Sequence, residues 1–439
     1  MNKRGHNVSF KETLTKKHPK EFRDQETILD PAELENYLED QDLIQQLKKN
    51  GFSKLFPIQQ ESFHTILKGR DLTARDRTGS GKTLAYSLPS LERLRRGKLI
   101  NGTDPKVLIM VPTRELVIQV CSCFDKISLP SLGLKTVAVY GGDSLQRQLD
   151  NVKNGVDIIV ATPGRLIDFI NRGAIKFSDL KCLVLDEADE MLNKGFQTDI
   201  ENIFRSVMKE TDEKPQTLLF SATLPPWVKS ISDKYQSPKT FMIDLVGNTQ
   251  ISIPKTIQHF KYSLANFHEM SNAVKKICHS LASSQGRCII FCETKRDVNE
   301  LYNDLKGEKC KMLHGDVKQH DRERIYHDFK TGKVLKIVAT NVAARGLDFP
   351  DIELVIQVEP PRRAEEYIHR AGRTGRAGKK GTCVVMTQKK HRERLGTIES
   401  EGKFEFQELR EKDLVSSNSN NNDNNYKKHN NDNDYDNDY

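Results

Sequence analysis

The stretch Arg77-Thr78-Gly79-Ser80-Gly81-Lys82-Thr83 carries the residue types that a bound phosphate asks for. Its glycines let the backbone curl so that several amide N–H groups point into one anion-sized hole, and Lys82 and Thr83 open a helix whose positive end faces that hole. Lys82 would reach the terminal phosphates of a nucleotide, and the Thr83 hydroxyl would ligate magnesium. A Gly/Ser-rich turn with an accidental lysine would look the same in isolation. The opening position, usually Gly in such loops, is Asp76, so the rest of the chain has to decide.

The acidic run Asp186-Glu187-Ala188-Asp189 follows the apolar Cys182-Leu183-Val184-Leu185. That order puts Asp186 at a strand's C-terminal end, where a carboxylate can hold magnesium, with Glu187 beside it to accept a proton from an attacking water. An acidic helix start favoured by the dipole is the plainer alternative. Together with the upstream Lys-Thr loop, the run defines a nucleoside-triphosphate-hydrolysing domain. Ahead of the loop, Gln59 can both donate and accept as an adenine edge requires, and Phe52 or Phe56 could pack beside the ring.

Arg370, Arg373 and Arg376 recur every third residue in His369-Arg370-Ala371-Gly372-Arg373-Thr374-Gly375-Arg376, with glycines permitting close approach. Guanidinium forks suit several phosphoryl oxygens at once. Supplied by one domain to a nucleotide held by another, they would stabilise transition-state charge only when the domains close. Pro112-Thr113-Arg114-Glu115, Gly141-Gly142 and Thr162-Pro163-Gly164-Arg165 offer hydroxyls, N–H groups and guanidinium at strand ends, a mixture used on phosphate and sugar rather than on bases. Ordinary caps and turns use the same residues.

Alternating apolar strands and amphipathic helices must position these groups. The pattern predicts strands at 107–111, 136–140, 158–161 and 180–185, with helices at 115–127 and 166–170. After a polar break near 244–256 it restarts with strands at 259–262, 287–292, 311–313, 335–339 and 351–357, and Gly381–Thr387 as a last edge strand. The reading is α/β: two parallel sheets flanked by helices, the second without a phosphate loop. The expected division is a basic arm at 1–30, a nucleotide-binding domain at 31–245, a linker at 246–256, a second domain at 257–390, a short appendage at 391–415 and a disordered Asn/Asp-rich tail at 416–439.

A chain of 439 residues exceeds one ordinary core, which fits two domains. There is no apolar run of membrane-spanning length and no apolar signal core near the start, so the expectation is an intracellular protein without a membrane. Eight cysteines lack the paired spacing of a zinc site and read as reduced, mostly buried thiols. With 69 Lys+Arg against 61 Asp+Glu, and acids gathered in the tail, the folded part is more basic than the whole and suits a polyanion.

With these motifs in this order and spacing, residues 30 to 390 resemble the DEAD-box RNA helicases; Leu55-Phe56-Pro57-Ile58-Gln59 and Thr340-Asn341-Val342 also resemble the nucleolar Gu-type branch. The resemblance implies two tandem RecA-like domains that bind ATP and Mg2+ in their cleft and RNA across their tops, locally opening short duplexes or remodelling RNA–protein complexes as hydrolysis proceeds. A nucleotide-dependent RNA clamp with little unwinding is the alternative. The family pattern makes Gln59 the adenine reader, Thr78 to Thr83 the phosphate loop, Asp348 the ribose contact, and Asp186 and Thr83 the metal residues. It makes Glu187 the base and Arg373 and Arg376 the arginine fingers, with Lys82 on the phosphates. Ser221, Thr223, Asp189 and His369 would couple cleft to RNA. Pro112, Thr113, Arg114, Gly142, Thr162, Gly164 and Arg165 would touch RNA from the first domain, and Thr294, Gln319, Arg322 and Thr340 from the second.

Three positions depart from the family pattern. Asp76 replaces the usual Ala, and a carboxylate beside phosphate is expected to point outward. Leu34 stands near the place of the adenine-stacking aromatic, and Asn341 replaces an Asp. The resemblance further implies a nuclear or nucleolar location, a monomer, protein cofactors as partners, and a part in ribosome biogenesis.

Overall fold

The computed structural model describes residues 31–76, 79–100, 103–246, 256–341, 349, 352–375 and 379–415, less the side chains of Phe267, Gln319, Glu365 and Val415. The basic arm, the Asn/Asp-rich tail and most of the expected linker lie outside these residues, as do Arg77, Thr78, Asp348 and Arg376.

A two-residue antiparallel pair, β1 (Ala32–Glu33) with β2 (Lys54–Leu55), precedes the first large sheet. That sheet holds β3 (Leu72–Arg75), β4 (Val107–Met110), β5 (Thr136–Val139), β6 (Ile158–Ala161), β7 (Cys182–Leu185), β8 (Gln216–Ser221) and β9 (Phe241–Asp244). Their spatial order is β5-β6-β4-β7-β8-β3-β9, and every pairing is parallel. Parallel strands need crossovers, and helices supply them on both faces. Alternation along β4 shows both faces filled: Val107 and Ile109 join one core cluster, Leu108 and Met110 the other. The edge strand β5 instead alternates buried with half-buried residues.

The second sheet holds β10 (Ile257–Ser263), β11 (Arg287–Cys292), β12 (Cys310–Leu313), β13 (Lys336–Thr340), β14 (Ile352–Gln357), β15 (Gly381–Thr387) and β16 (Gln407–Glu408). The order is β12-β13-β11-β14-β15-β10-β16, again parallel throughout. Ile289 and Phe291 of β11 pack to one side, Cys288, Ile290 and Cys292 to the other. The expectation that Gly381–Thr387 is an edge strand fails. β15 lies between β14 and β10, nearly all buried, and the two-residue β16 is the edge. A strand late in sequence can be inserted centrally when its connection crosses over, and its apolar content, Val384, Val385 and Met386, requires cover on both faces.

Strand order also sorts the predicted chemistry. The C-terminal ends of β7, β8 and β3 are neighbours, bringing Asp186, Ser221 and the phosphate loop to one half of the sheet. The ends of β5, β6 and β4 form the other half, where Gly142, Thr162 and Pro112 to Arg114 emerge. Among the described residues no helix is long and apolar enough to cross a membrane. The eight cysteines are free, and all but Cys121 and Cys123 are buried.

Candidate functional site

The phosphate loop leaves β3 and enters the helix Lys82–Arg96, capped by Gly81 in the left-handed region at φ 88°. Glycine is required there twice over, since a Cβ would also lie 2.3 Å from Gln59 Nε2. Gln59 is buried at the start of the helix Pro57–Leu67. Its Nε2 donates to the Gly81 carbonyl at 3.1 Å and its Oε1 accepts from the Phe56 N–H at 2.8 Å, so the carboxamide ties the helix start to the loop. Phe56 packs against the same glycine and is partly exposed, whereas Leu34 is fully buried in the core and cannot stack on a base.

Lys82 is buried and its ammonium donates to the Asp76 carbonyl at 2.8 Å. Asp76 is 7% exposed, with its N–H donating to the Ser221 carbonyl at 3.2 Å. Register accounts for the burial. Asp76 continues the β3–β8 pairing by one residue, so its backbone is held inside the sheet edge at which Lys82 folds back.

Asp186 sits at the end of β7, buried, its N–H donating to the Met110 carbonyl at 3.0 Å. Its Oδ1 accepts from the Glu187 N–H at 2.9 Å and its Oδ2 from the Tyr86 hydroxyl at 3.0 Å. Burial raises its pKa, opposed by the Lys82 charge. Glu187 occupies the left-handed region at φ 50°, ψ 49°. Such a conformation costs a non-glycine residue about 1–3 kcal/mol and recurs at functional sites. Burial, then the Asp186 charge, push the Glu187 carboxyl up to about 7, with Arg373 and Lys82 pulling the other way. Arg373 belongs to the second sheet's domain, and its charge acts on this carboxylate.

Asp189, Ser221 and Thr223 form one hydrogen-bonded unit. The Asp189 N–H donates to Ser221 Oγ at 3.2 Å, and Asp189 Oδ2 accepts from the Thr223 hydroxyl at 3.0 Å and its N–H at 3.1 Å. His369 is half-buried on the helix Ala364–Ala371. Arg370, by contrast, is not a phosphate fork. It is 1% exposed, and its Nη2 donates to Glu293 at 2.7 Å and Glu366 at 2.9 Å. Asn341 donates to the same Glu366 oxygen, which an aspartate there would repel. Gly375 has φ 66°, and a Cβ there would lie 2.5 Å from Ile257, so the turn carrying Arg373 needs its glycine.

Thr113 and Thr294 both cap helices, accepting from Leu116 at 3.2 Å and Asp297 at 3.1 Å. Thr340 ends β13, buried. Pro112 is buried, while Thr162 and Gly164 start the helix Pro163–Asn171 with Arg165, whose guanidinium donates to the Asp143 carbonyl at 3.4 Å. Arg114 lies 5.0 Å above the Tyr140 ring, and a Cβ on Gly142 would come within 3.0 Å of its guanidinium. Two crossed ion pairs then join the domains. Arg114 donates to Glu323 at 2.9 Å, and Arg322 forms an ion pair with Glu115 at 3.0 Å. Arg114 and Arg322 had been read as RNA contacts; the structure gives each a carboxylate partner in the opposite domain. Glu115, Glu323 and Tyr86 were not read as functional at all. No local pattern in the sequence announces the crossed pairs, since Arg114 and Glu323 stand 209 residues apart.

The fold is a two-domain α/β protein, two parallel seven-stranded sheets flanked by helices in the tandem RecA-like arrangement. Residues 56–231 match the DEAD/DEAH box helicase model and residues 270–378 the helicase conserved C-terminal domain. The chain belongs to the DEAD-box RNA helicase family. It is 47% identical over 373 residues to DEAD-box ATP-dependent RNA helicase 7 of Arabidopsis thaliana, covering 84% of this chain and 54% of that protein. It is 40% identical over 391 residues to ATP-dependent RNA helicase DDX50 of Homo sapiens, covering 88% and 52%. Nucleolar RNA helicase 2 of Mus musculus is 39% identical over 378 residues, covering 85% and 44%. The chain thus spans about half the length of these curated relatives. Among solved structures, Mss116p bound to ssRNA and AMP-PNP matches with TM-score 0.78 at 29% identity, over 87% of this chain and 80% of that one. Dbp5 of S. cerevisiae bound to RNA and ADP BeF3 matches with TM-score 0.75 at 26% identity, over 89% and 98%.

Proposed function

We propose that the chain is an ATP-dependent RNA helicase that grips RNA across both domains and opens short duplexes, or remodels RNA–protein complexes, as ATP is hydrolysed. The observation that carries this reading is the pair of crossed interdomain ion pairs, Arg114 with Glu323 and Arg322 with Glu115, with the Arg373 charge of the second domain acting on Glu187. A nucleotide cleft completed only by a second domain makes hydrolysis depend on closure. Relatives named as ATP-dependent RNA helicases, and neighbours solved with RNA and nucleotide analogues, support the substrates.

In this reading Gln59 senses adenine while holding the loop at Gly81, and Gly79 to Lys82, with Thr78, cradle the phosphates. Glu187 accepts the proton of the attacking water, and Arg373, with Arg376, neutralises charge developing on the transferred group. Asp348 holds the ribose. The hard oxygens of Thr83 and buried Asp186, with no cluster of three or more His, Cys, Asp or Glu suited to a metal among the described residues, fit Mg2+, which is commonly held by few protein ligands plus phosphates. When bound, that ion would neutralise phosphate charge. The Asp189–Ser221–Thr223 unit and His369 transmit closure to the strand ends at Pro112, Thr113, Arg114, Gly142, Thr162, Gly164 and Arg165, which face RNA with Thr294, Gln319, Arg322 and Thr340. The working division is 31–245 and 257–390 joined by a linker, in a nuclear or nucleolar protein of ribosome biogenesis that acts as a monomer with protein cofactors.

The test is ATP turnover with RNA, DNA or no polymer, run beside strand separation of a short RNA duplex. RNA-selective stimulation with ATP-dependent separation is expected. Equal stimulation by DNA overturns the substrate assignment, and ATP-dependent RNA binding with separation at background shifts the reading to a clamp.

A further inference from the structure

Tyr86 lies one turn beyond Thr83 on the helix Lys82–Arg96, so the two side chains share a face. It is fully buried. Its hydroxyl donates to Asp186 Oδ2 at 3.0 Å. Its ring packs on Phe220, centroids 5.3 Å apart, one residue before Ser221. One side chain therefore touches the phosphate-loop helix, the tip of β7 and the end of β8.

The proton order at this junction follows from donor and acceptor capacity. An ionised carboxylate can only accept, so the single phenolic proton goes to Asp186. Tyr86 thereby fixes one oxygen of the carboxylate read as a metal residue. The Glu187 N–H holds the other oxygen.

We propose that Tyr86 is a positioning residue for the cation-binding half of the nucleotide site, its hydroxyl setting the orientation of the Asp186 carboxylate before nucleotide arrives. The inference rests on the nucleotide site proposed above. Phenylalanine at this position would preserve the ring and its packing while leaving that Asp186 oxygen unrestrained. Partners of this kind outside the ligand set typically change metal affinity or activity about 10–100-fold.

The experiment is equilibrium binding of a fluorescent ADP analogue to the full chain at increasing Mg2+, for the parent, Tyr86→Phe and Phe220→Leu, with thermal midpoints of the nucleotide-free proteins alongside. Tyr86→Phe is expected to raise the Mg2+ concentration for half-maximal binding about tenfold and lower kcat more than it raises KM for ATP. Phe220→Leu, which disturbs packing but keeps the hydroxyl, should lower the thermal midpoint and leave the Mg2+ requirement as in the parent. An unchanged Mg2+ requirement in Tyr86→Phe overturns the proposal, as does an equal shift in Phe220→Leu, since either would mean that packing and not the hydroxyl is responsible. If the parent binds the analogue without regard to Mg2+, the site assignment falls together with the proposal.

Discussion

Removing a negative charge from a surface that binds a polyanion should strengthen binding, and at Glu115 and Glu323 the opposite is expected. Glu115 pairs with Arg322 at 3.0 Å with side chains 11% and 17% exposed, and Glu323 pairs with Arg114 at 2.9 Å with exposures of 51% and 15%. The mostly buried ion pair contributes about 1 kcal/mol, and the half-exposed pair about 0.5 kcal/mol after screening. Both pairs exist only when the domains are together, so their sum of roughly 1.5 kcal/mol acts on closure, worth about tenfold in a closed-state equilibrium. The perturbation is Glu115→Gln with Glu323→Gln, and the assay is RNA affinity in the presence of a non-hydrolysable ATP analogue. Glu115→Gln alone should weaken RNA binding about fivefold and the double variant about tenfold. Without nucleotide, both should bind RNA as the parent does. Tighter RNA binding by either variant would refute the reasoning, because it would mean that these carboxylates merely repel phosphate and hold nothing closed.

Two further outcomes follow from single residues. Gly81→Ala forces a Cβ to 2.3 Å from Gln59 Nε2 at φ 88°, and the backbone strain alone costs about 1–2 kcal/mol; ATP affinity by calorimetry should fall at least about tenfold, with circular dichroism unchanged. His259 is buried against Tyr367 and Phe404, its Nδ1 2.8 Å from the Tyr367 hydroxyl, and burial lowers its pKa to about 4 from 6.5. The unfolded chain therefore binds the proton first, so stability is fully present above pH 6.5 and is lost as pH falls toward 4, by up to about 1.4 kcal/mol per pH unit. Urea midpoints for the second domain's transition should show this slope, and His259→Gln should flatten it.

How much was legible depended on whether a residue's partner was local. Cys182 to Leu185 announced a buried strand and Asp186 its tip, because an all-apolar run ending in a carboxylate is readable over a few residues. Thr113 before an amphipathic run gave the helix Arg114–Ile127 to within one residue. Strand order was not legible, since an apolar run such as Gly381–Thr387 reports cover on both faces but not its neighbours, and the edge position fell to β16. Arg370 looked like its companions Arg373 and Arg376 in sequence, yet it is 1% exposed and its Nη2 is turned to Glu293 and Glu366. The Arg114–Glu323 bond spans 209 residues, beyond any local pattern. Backbone pairing to Ser221 holds Asp76 buried, which its residue type alone did not announce.

The central claim is that the second domain completes the site at Glu187 through Arg373. Its most direct test is RNA-stimulated ATP turnover by Arg373→Gln, with ATP affinity measured in the absence of RNA. The account predicts turnover lower by about a thousandfold or more, the range for such arginines, with RNA-free ATP affinity within about twofold of the parent because the first domain alone makes those contacts. RNA-stimulated turnover equal to the parent's would contradict it.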